Sequence, residues 1–229
     1  MSQGSEGNAI KRPTLHHANL KTTRLQEMID WYATVVGMSL TYQFPGGAWL
    51  TNDAANHRLA LLTSSQLSDD PDKLAHAGIH HSAFEYATID DLLDTYMRLK
   101  GQGIEPHACL DHGMTTSFYY VDPDGNSVEL QVDNFGDWDQ SSEWMRTSPQ
   151  FAADPIGMPV DPEQMIAARK AGASFAELHQ RAYASEFKPS TPWTCAFRSR
   201  SRALQCRTGE ARGKRGSSFS LTTSKEYLT

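Results

Sequence analysis

The chain has 229 residues, 39% hydrophobic and 10% aromatic, with a formal net charge of −6, enough to bury one substantial core or two small modules sharing one. No run approaches the roughly 18 apolar residues of a membrane helix, and the polar opening MSQGSEGNAIKR has no signal-peptide core, so a cytoplasmic protein is expected. Cys109, Cys195 and Cys206 are odd in number and far apart, which argues against a disulfide framework or zinc knuckle and leaves His and carboxylate as the residue types for any metal site.

Residues 1–11 are expected to be flexible. A first module is expected over 12–68. It opens on a short apolar strand, Leu15-His16-His17-Ala18-Asn19-Leu20, and continues into a helix with Leu25, Met28, Ile29 and Tyr32 on one face, the spacing of an amphipathic helix. Thr23-x-x-Gln26 reads as its capping box and Gly37 as its stop. Strands follow around 40–44, 48–51 and 58–62. A second module, expected over 79–135, repeats the first with a shift of 64 positions: Ile79-His80-His81-Ser82-Ala83-Phe84, then Ile89, Leu92, Leu93, Asp94 and Tyr96 in place of Leu25, Met28, Ile29, Asp30 and Tyr32. Thr88-x-x-Asp91 is its cap and Gly101 its stop, with strands around 105–109, 117–121 and 127–132. The Asp122-Pro123-Asp124-Gly125-Asn126 loop is a hairpin signal, because Gly and Asn tolerate positive φ. Each module therefore reads as βαβββ, and an in-register repeat places a histidine at the same point of the same strand twice.

Two histidines related in this way can converge on one metal ion. The pattern leaves open which member of each His-His pair does so, since adjacent strand residues face opposite ways. The last strand supplies a third ligand: alternation in Ser127-Val128-Glu129-Leu130-Gln131-Val132 sends Val128, Leu130 and Val132 to one face and Glu129 to the other. The equivalent of Glu129 in the first module is Ala60. Two histidines and a single carboxylate are the donor set of non-haem Fe(II) oxygenases, which keep positions open for substrate and oxygen.

The duplicated βαβββ pattern, the His-bearing first strands and the segment from Phe118 to Glu129, with its D-P-D-G-N loop, resemble the vicinal oxygen chelate superfamily and, within it, the small one-domain class of type I extradiol catechol dioxygenases, which includes 2,3-dihydroxybiphenyl and catechol 2,3-dioxygenases. The resemblance covers about residues 12–187. It implies an α+β fold of two βαβββ modules forming an open barrel around one metal site, with a C-terminal helical extension. It also implies His17, His81 and Glu129 as ligands of Fe(II), with Mn(II) as the other metal the set accepts. The Asn52–Ala60 segment resembles the one whose histidine is the acid-base group, which gives that role to His57. Asp111-His112-Gly113 resembles the loop whose histidine bonds the catechol oxygen, and Ser117-Phe118-Tyr119-Tyr120 the strand whose tyrosine contacts the same oxygen, so His112 and Tyr119 would stabilise charge developing there. The implied reaction inserts both atoms of O2 beside the diol of a catechol and yields a ring-opened semialdehyde. Two other classes stay in view: a metal-dependent isomerase, epimerase or thiol transferase of the same superfamily, and a metal-free drug-sequestering protein.

Beyond the second module, residues 136–187 are expected to form a loop rich in Trp, Met, Phe and Pro lying over the opening, and then two helices. Asp161-Pro162-Glu163 starts one and Gly172 ends it; Ser174-x-x-Glu177 starts another that runs to about Tyr183. Trp138, Trp144, Met145 and Phe151 either shape an aromatic pocket or fasten this extension to the sheets. Residues 188–229 hold nine Lys/Arg against Glu210 and Glu226, a net of +7 that leaves −13 on residues 1–187. The tail reads as disordered. The acidic body excludes nucleic acid as the main partner, leaving a small-molecule catechol, O2 and further copies of the chain in a homo-oligomer as the expected partners.

Overall fold

The computed structural model describes residues 10–193, and within them the same unit is built twice. The first is β1 (Ala18–Lys21), α1 (Leu25–Val35), β2 (Ser39–Phe44), β3 (Gly47–Thr51) and β4 (Leu59–Leu62); the second is β5 (His81–Tyr86), α2 (Ile89–Lys100), β6 (Ala108–Asp111), β7 (Thr115–Val121) and β8 (Ser127–Asp133). The sheets run β1-β4-β3-β2 and β5-β8-β7-β6, the second extended at its edge by β9 (Met158–Pro159). In both, the first strand pairs parallel with the last and the remaining pairs are antiparallel. The α+β architecture expected from the repeat is present. The sheets are separate ladders among the described residues, so no barrel closes. Residues 1–9 of the expected flexible start lie outside the described residues, as do 194–229 of the basic tail with Cys195 and Cys206.

The helical periodicity explains the packing. Met28, Tyr32 and Val35 of α1 and Leu92 and Leu99 of α2 are fully buried, each face lying on its own sheet, and one cluster joins them to Leu50, Leu61, Phe118 and Leu130. Burying each such side chain contributes roughly 1.5–3 kcal/mol. Because the cluster spans both units, they share one core. Polar contacts join them at the D-P-D-G-N hairpin: Arg24, at the head of α1, binds Asp124 at 3.0 Å and Asp69 at 2.6 Å, and Lys73 Nζ donates to the Asp124 carbonyl at 2.7 Å. The hairpin is held from within by Asp122 Oδ1, which accepts from the Asn126 and Asp124 amides at 2.8 and 3.0 Å, with Gly125 at φ +79.

Three local expectations differ from the structure. Thr23 does not cap α1: the N-cap is Arg24, without a side-chain cap, because the Thr23 hydroxyl donates instead to Asp69 at 2.6 Å. Thr88 does cap α2, accepting from the Asp91 amide. Strand β6 begins at Ala108 rather than around 105, since Pro106 has no N–H for a ladder and forces its predecessor out of regular pairing. Within the segment expected as a loop, α3 (Trp138–Thr147) and α4 (Pro149–Ala153) form, started by Asp137, which accepts from Asp139 and Gln140, and by Ser148 ahead of Pro149. Gly101 ends α2 as expected, in a right-handed conformation, and the positive φ that follows falls on Gly103.

The later helices follow their caps. Asp161 with Pro162 starts α5 (Pro162–Lys170), and Ser174 and Glu177 form a complete capping box on α6 (Phe175–Tyr183). Helix α5 is tied to α2 by paired contacts of Arg169 with Asp90, both at 2.7 Å, and by Glu163, which meets Lys100 and the Tyr96 hydroxyl. Cys109 is buried, and burial pushes its thiol pKa up, so it is chemically quiet. No described helix is long and apolar enough to cross a membrane.

Three substitutions test these assignments in urea denaturation. Leu130→Ala, at a position with no exposed surface, is expected to cost about 2–5 kcal/mol. Thr88→Ala should cost about 1 kcal/mol as a lost cap. Thr23→Ala should stay within about 0.5 kcal/mol, as a surface change does.

Candidate metal centre and its proton network

Strand pairing places the carboxylate. Tyr119 of β7 stands directly opposite Glu129 of β8, and Ala83 of β5 is paired with Glu129 from the other side. The corresponding pair in the first sheet is Asn19 with Ala60. The register therefore reproduces the asymmetry expected from the repeat, one carboxylate for two equivalent positions. Because β8 alternates, Val128, Leu130 and Val132 enter the core while Glu129 faces the other way, although it is still only 5% exposed.

A carboxylate buried to that degree needs donors. Glu129 Oε1 accepts from the Tyr119 hydroxyl at 2.8 Å, and Oε2 lies 2.9 Å from His81 Nε2. Burial pushes the Glu129 carboxyl up, but hydrogen bonds from His81, Ser117 and Tyr119 outweigh it and hold the group below its ordinary value. The hydrogen bond to Glu129 raises the His81 pKa against the opposing effect of burial. Burial, with the Glu129 charge, drives the Tyr119 phenol strongly up, so it stays protonated and donates. The chain continues outward: His112 Nε2 is 2.8 Å from the Tyr119 oxygen, and His112 Nδ1 faces the Ile156 carbonyl at 2.6 Å. A carbonyl only accepts, so Nδ1 carries the proton.

A second histidine group lies on the first sheet. His17, immediately before β1, has its ring centre 4.4 Å from that of His57, immediately before β4. His16 joins them, and one ring nitrogen from each of the three lies within 4.8 Å of the others. His57 Nδ1 is 2.7 Å from Asn56 Oδ1, which leaves Nε2 as the free lone pair. Partial burial, then His17 and His16, lower the His57 pKa, so the ring is neutral and available as a base near neutral pH. Beside it, Tyr42 and Trp49 stack at 5.3 Å and Tyr42 and Phe44 at 6.2 Å, with Tyr42 55% and Trp49 38% exposed. This makes an open aromatic face next to His57.

The six residues singled out from sequence thus fall into two groups, His81-Glu129-Tyr119-His112 on the second sheet and His17-His57 on the first. Among the described residues no hydrogen bond or ring contact joins the groups. A cavity of about 750 Å³ between the leading strands is lined by both His17 and His81, with His16 and His80. The donor types suit a divalent metal: an imidazole and a carboxylate stand 2.9 Å apart, close to the roughly 3 Å separating adjacent ligands about 2.1 Å from one octahedral ion. His17 lines the same cavity as His81, but among the described residues the donor atoms that lie within 4.8 Å of its own are those of His16 and His57, so His17, His81 and Glu129 are not gathered into one cluster.

Sequence reasoning passed over other residues of the site. His179 carries no motif that marks it, yet its Nδ1 is 2.8 Å from Asp111 Oδ2, on the residue before His112. No spacing marks this pair, because α6 and β6 are distant in sequence. The Ile156 carbonyl is a backbone group and leaves no residue-type signal. Of the aromatic residues in the extension, Trp144 packs among Phe135, Phe151 and Tyr183, which is the fastening role, while Trp138 is 70% exposed and donates its indole N–H to Glu85 at 3.0 Å.

A family pattern described as the glyoxalase/bleomycin resistance protein/dioxygenase superfamily matches residues 14–130. The chain is 40% identical over 180 residues to biphenyl-2,3-diol 1,2-dioxygenase 2 of Rhodococcus globerulus, covering 79% of this chain and 94% of that protein. It is likewise 40% identical over 172 residues to biphenyl-2,3-diol 1,2-dioxygenase 3 of the same organism, covering 75% and 90%. Among solved structures, lactoylglutathione lyase from Agrobacterium tumefaciens is 20% identical over 53% of this chain and 96% of its own, with a TM-score of 0.44. With the family pattern spanning both histidine-bearing strands, and two relatives aligned over most of its length, this chain belongs to the glyoxalase/bleomycin resistance protein/dioxygenase superfamily.

Proposed function

We propose that the protein is a metal-dependent extradiol dioxygenase that opens the ring of a catechol beside its two hydroxyls, with O2 as cosubstrate. The observation that carries this reading is the continuous chain from His81 through Glu129 and Tyr119 to His112, in a protein 40% identical to two biphenyl-2,3-diol dioxygenases. A carboxylate-imidazole pair with a phenol and a second imidazole behind it is suited to binding a diol and managing its protons. His17, His81 and Glu129 would hold the metal, proposed as Fe(II), with Mn(II) as the alternative that the same donors accept. When bound, the metal would acidify the catechol hydroxyls and relay electrons from the diol to O2.

The remaining roles belong to the chain. The open face of Tyr42, Phe44 and Trp49 offers the ring an apolar surface beside His57. Neutral His57, with its Nε2 lone pair free, takes a proton from the diol and returns it to the oxygenated substrate. The Tyr119 oxygen stands 2.8 Å from both Glu129 Oε1 and His112 Nε2, so the protonated phenol can turn its single O–H between the carboxylate, the imidazole and a developing charge on the substrate oxygen. Residues 12–68 and 79–135 would act as two modules of one site, in a homo-oligomeric cytoplasmic enzyme.

A second reading of one residue rests on the proximity of His16, His17 and His57: there His57 is a metal ligand, not a base. Two measurements decide these points. Anaerobically prepared protein loaded with Fe(II) should consume O2 in stoichiometric amounts with catechol, 3-methylcatechol or 2,3-dihydroxybiphenyl and form a yellow product, and His81→Ala should lose this activity. Tight binding of one iron per chain without turnover would reject the dioxygenase reading and favour the isomerase or transferase classes. In the second, His57→Ala should retain its iron while kcat falls by about 10²- to 10⁴-fold, the scale of a lost general acid-base group. Glu129→Ala should lose the iron itself by elemental analysis, and iron loss in His57→Ala would make His57 a ligand.

A further inference from the structure

His112 sits on a turn between β6 and β7, where a flexible loop would leave its ring free to wander, yet a set of contacts from outside the two repeated units fixes it. Gly157 passes so close that a Cβ there would lie 2.1 Å from the Asp111 carbonyl oxygen and 2.7 Å from His112 Cα. The preceding residue's carbonyl, on Ile156, takes the His112 Nδ1 proton. Strand β9 then pairs with β6, Met158 opposite Asp111. On the other side of the turn, Trp144 of α3 lies against Gly113, where a Cβ would come within 2.0 Å of the indole.

The polar anchor of this arrangement is Asp111, which has no exposed surface. Its Oδ1 accepts from the Gly113 amide at 2.8 Å and from Asn134 Nδ2 at 3.2 Å. Its Oδ2 faces His179 Nδ1 of α6 at 2.8 Å, with the His179 side chain 17% exposed. A buried carboxylate with a missing donor is costly, so the loop conformation depends on the helix that delivers His179. The charge is placed one residue from His112 and its ring donor is supplied from 68 positions away.

We propose that His179 is a positioning residue for the reaction: through Asp111 it holds the His112 turn, and with it the line from His112 to Tyr119, so that the C-terminal extension completes the site. This rests on the reading that His112 serves extradiol cleavage.

The test uses the full chain and two readouts. In 15N-labelled protein the His112 ring N–H, assigned by its loss in His112→Ala, should be protected from exchange in the wild type. The same protection is expected in His179→Asn, whose amide donor replaces Nδ1–H. In His179→Ala it should exchange at least about tenfold faster, as expected for a lost supporting hydrogen bond. In turnover with 2,3-dihydroxybiphenyl, His179→Ala should lower kcat about tenfold with KM within about twofold, and His179→Asn should remain within about threefold of wild type. In a His112→Ala background, His179→Ala should change kcat by less than about twofold, because the two act as one unit. Equal fold losses in both backgrounds, or unchanged ring exchange in His179→Ala, would overturn the proposal. A wild type that consumes no O2 while ring exchange follows the stated pattern would remove the dioxygenase reading and leave the positioning of His112 standing.

Discussion

The structure turns on the burial of one carboxylate. Glu129 is 5% exposed on a strand whose alternate residues form the core, and a charge in that place is tolerated only when donors converge on it. Those donors cannot come from its own strand. They come from β7 through Tyr119 and Ser117, and from the start of β5 through His81. The pairing order that sets β8 between β5 and β7 is thus also the order that surrounds Glu129 with an imidazole on one side and a phenol on the other. Slipping β7 by one residue would send Tyr119 to the far face and leave the charge without its phenol.

The first unit shows what the fold does without that charge. Ala60 occupies the position of Glu129, paired with Asn19 as Glu129 is with Ala83. With no carboxylate to satisfy, the sheet shows no buried side-chain network there among the described residues. It presents His17, His57 and stacked aromatic rings on an open face instead. Duplication therefore yields two unlike halves on one scaffold, a charged and hydrogen-bonded half and an apolar half carrying imidazoles. A diol attached to an aromatic ring needs both kinds of surface, one for its oxygens and one for its carbons.

Much of this was legible in the sequence because it depends on periodicity. The 64-residue repeat, the helical faces of Leu25 to Tyr32 and Ile89 to Tyr96, and the alternation at Val128 to Val132 are local patterns, and each sets burial directly. Alternation along β7 and β8 also sends Tyr119 and Glu129 to one face, whereas their hydrogen bond is given by the strand register seen in the structure. Local signals failed where a side chain had a more distant partner. Thr23 has the residue type of a cap, but Asp69, 46 positions away, takes its hydroxyl. Pro106 was placed inside a strand that it cannot pair. Helices α3 and α4 carry clear starts at Asp137 and Ser148, obscured by the aromatic and proline content around them. Asp111 and His179 left no trace, since nothing in one segment indicates that the other will cover it.

That last failure bears on how such a site is assembled. The repeated units hold His81, Glu129 and Tyr119 on paired strands, where the ladder fixes backbone positions. His112 lies outside those ladders: it follows β6, and its own amide bonds to the Thr115 carbonyl across the turn. A ring at the end of a hydrogen-bonded chain transmits a proton usefully only if its angle is fixed. Asn134, at the end of the second module, reaches that turn through Asp111 and the Gly113 carbonyl. The groups that take the His112 ring proton, pack on Gly113 and supply the imidazole partner of Asp111, namely the Ile156 carbonyl, Trp144 and His179, lie after residue 135. The extension is therefore tied by geometry to the Tyr119–Glu129 pair, as the part of the chain that fixes the orientation of the His112 ring beside it.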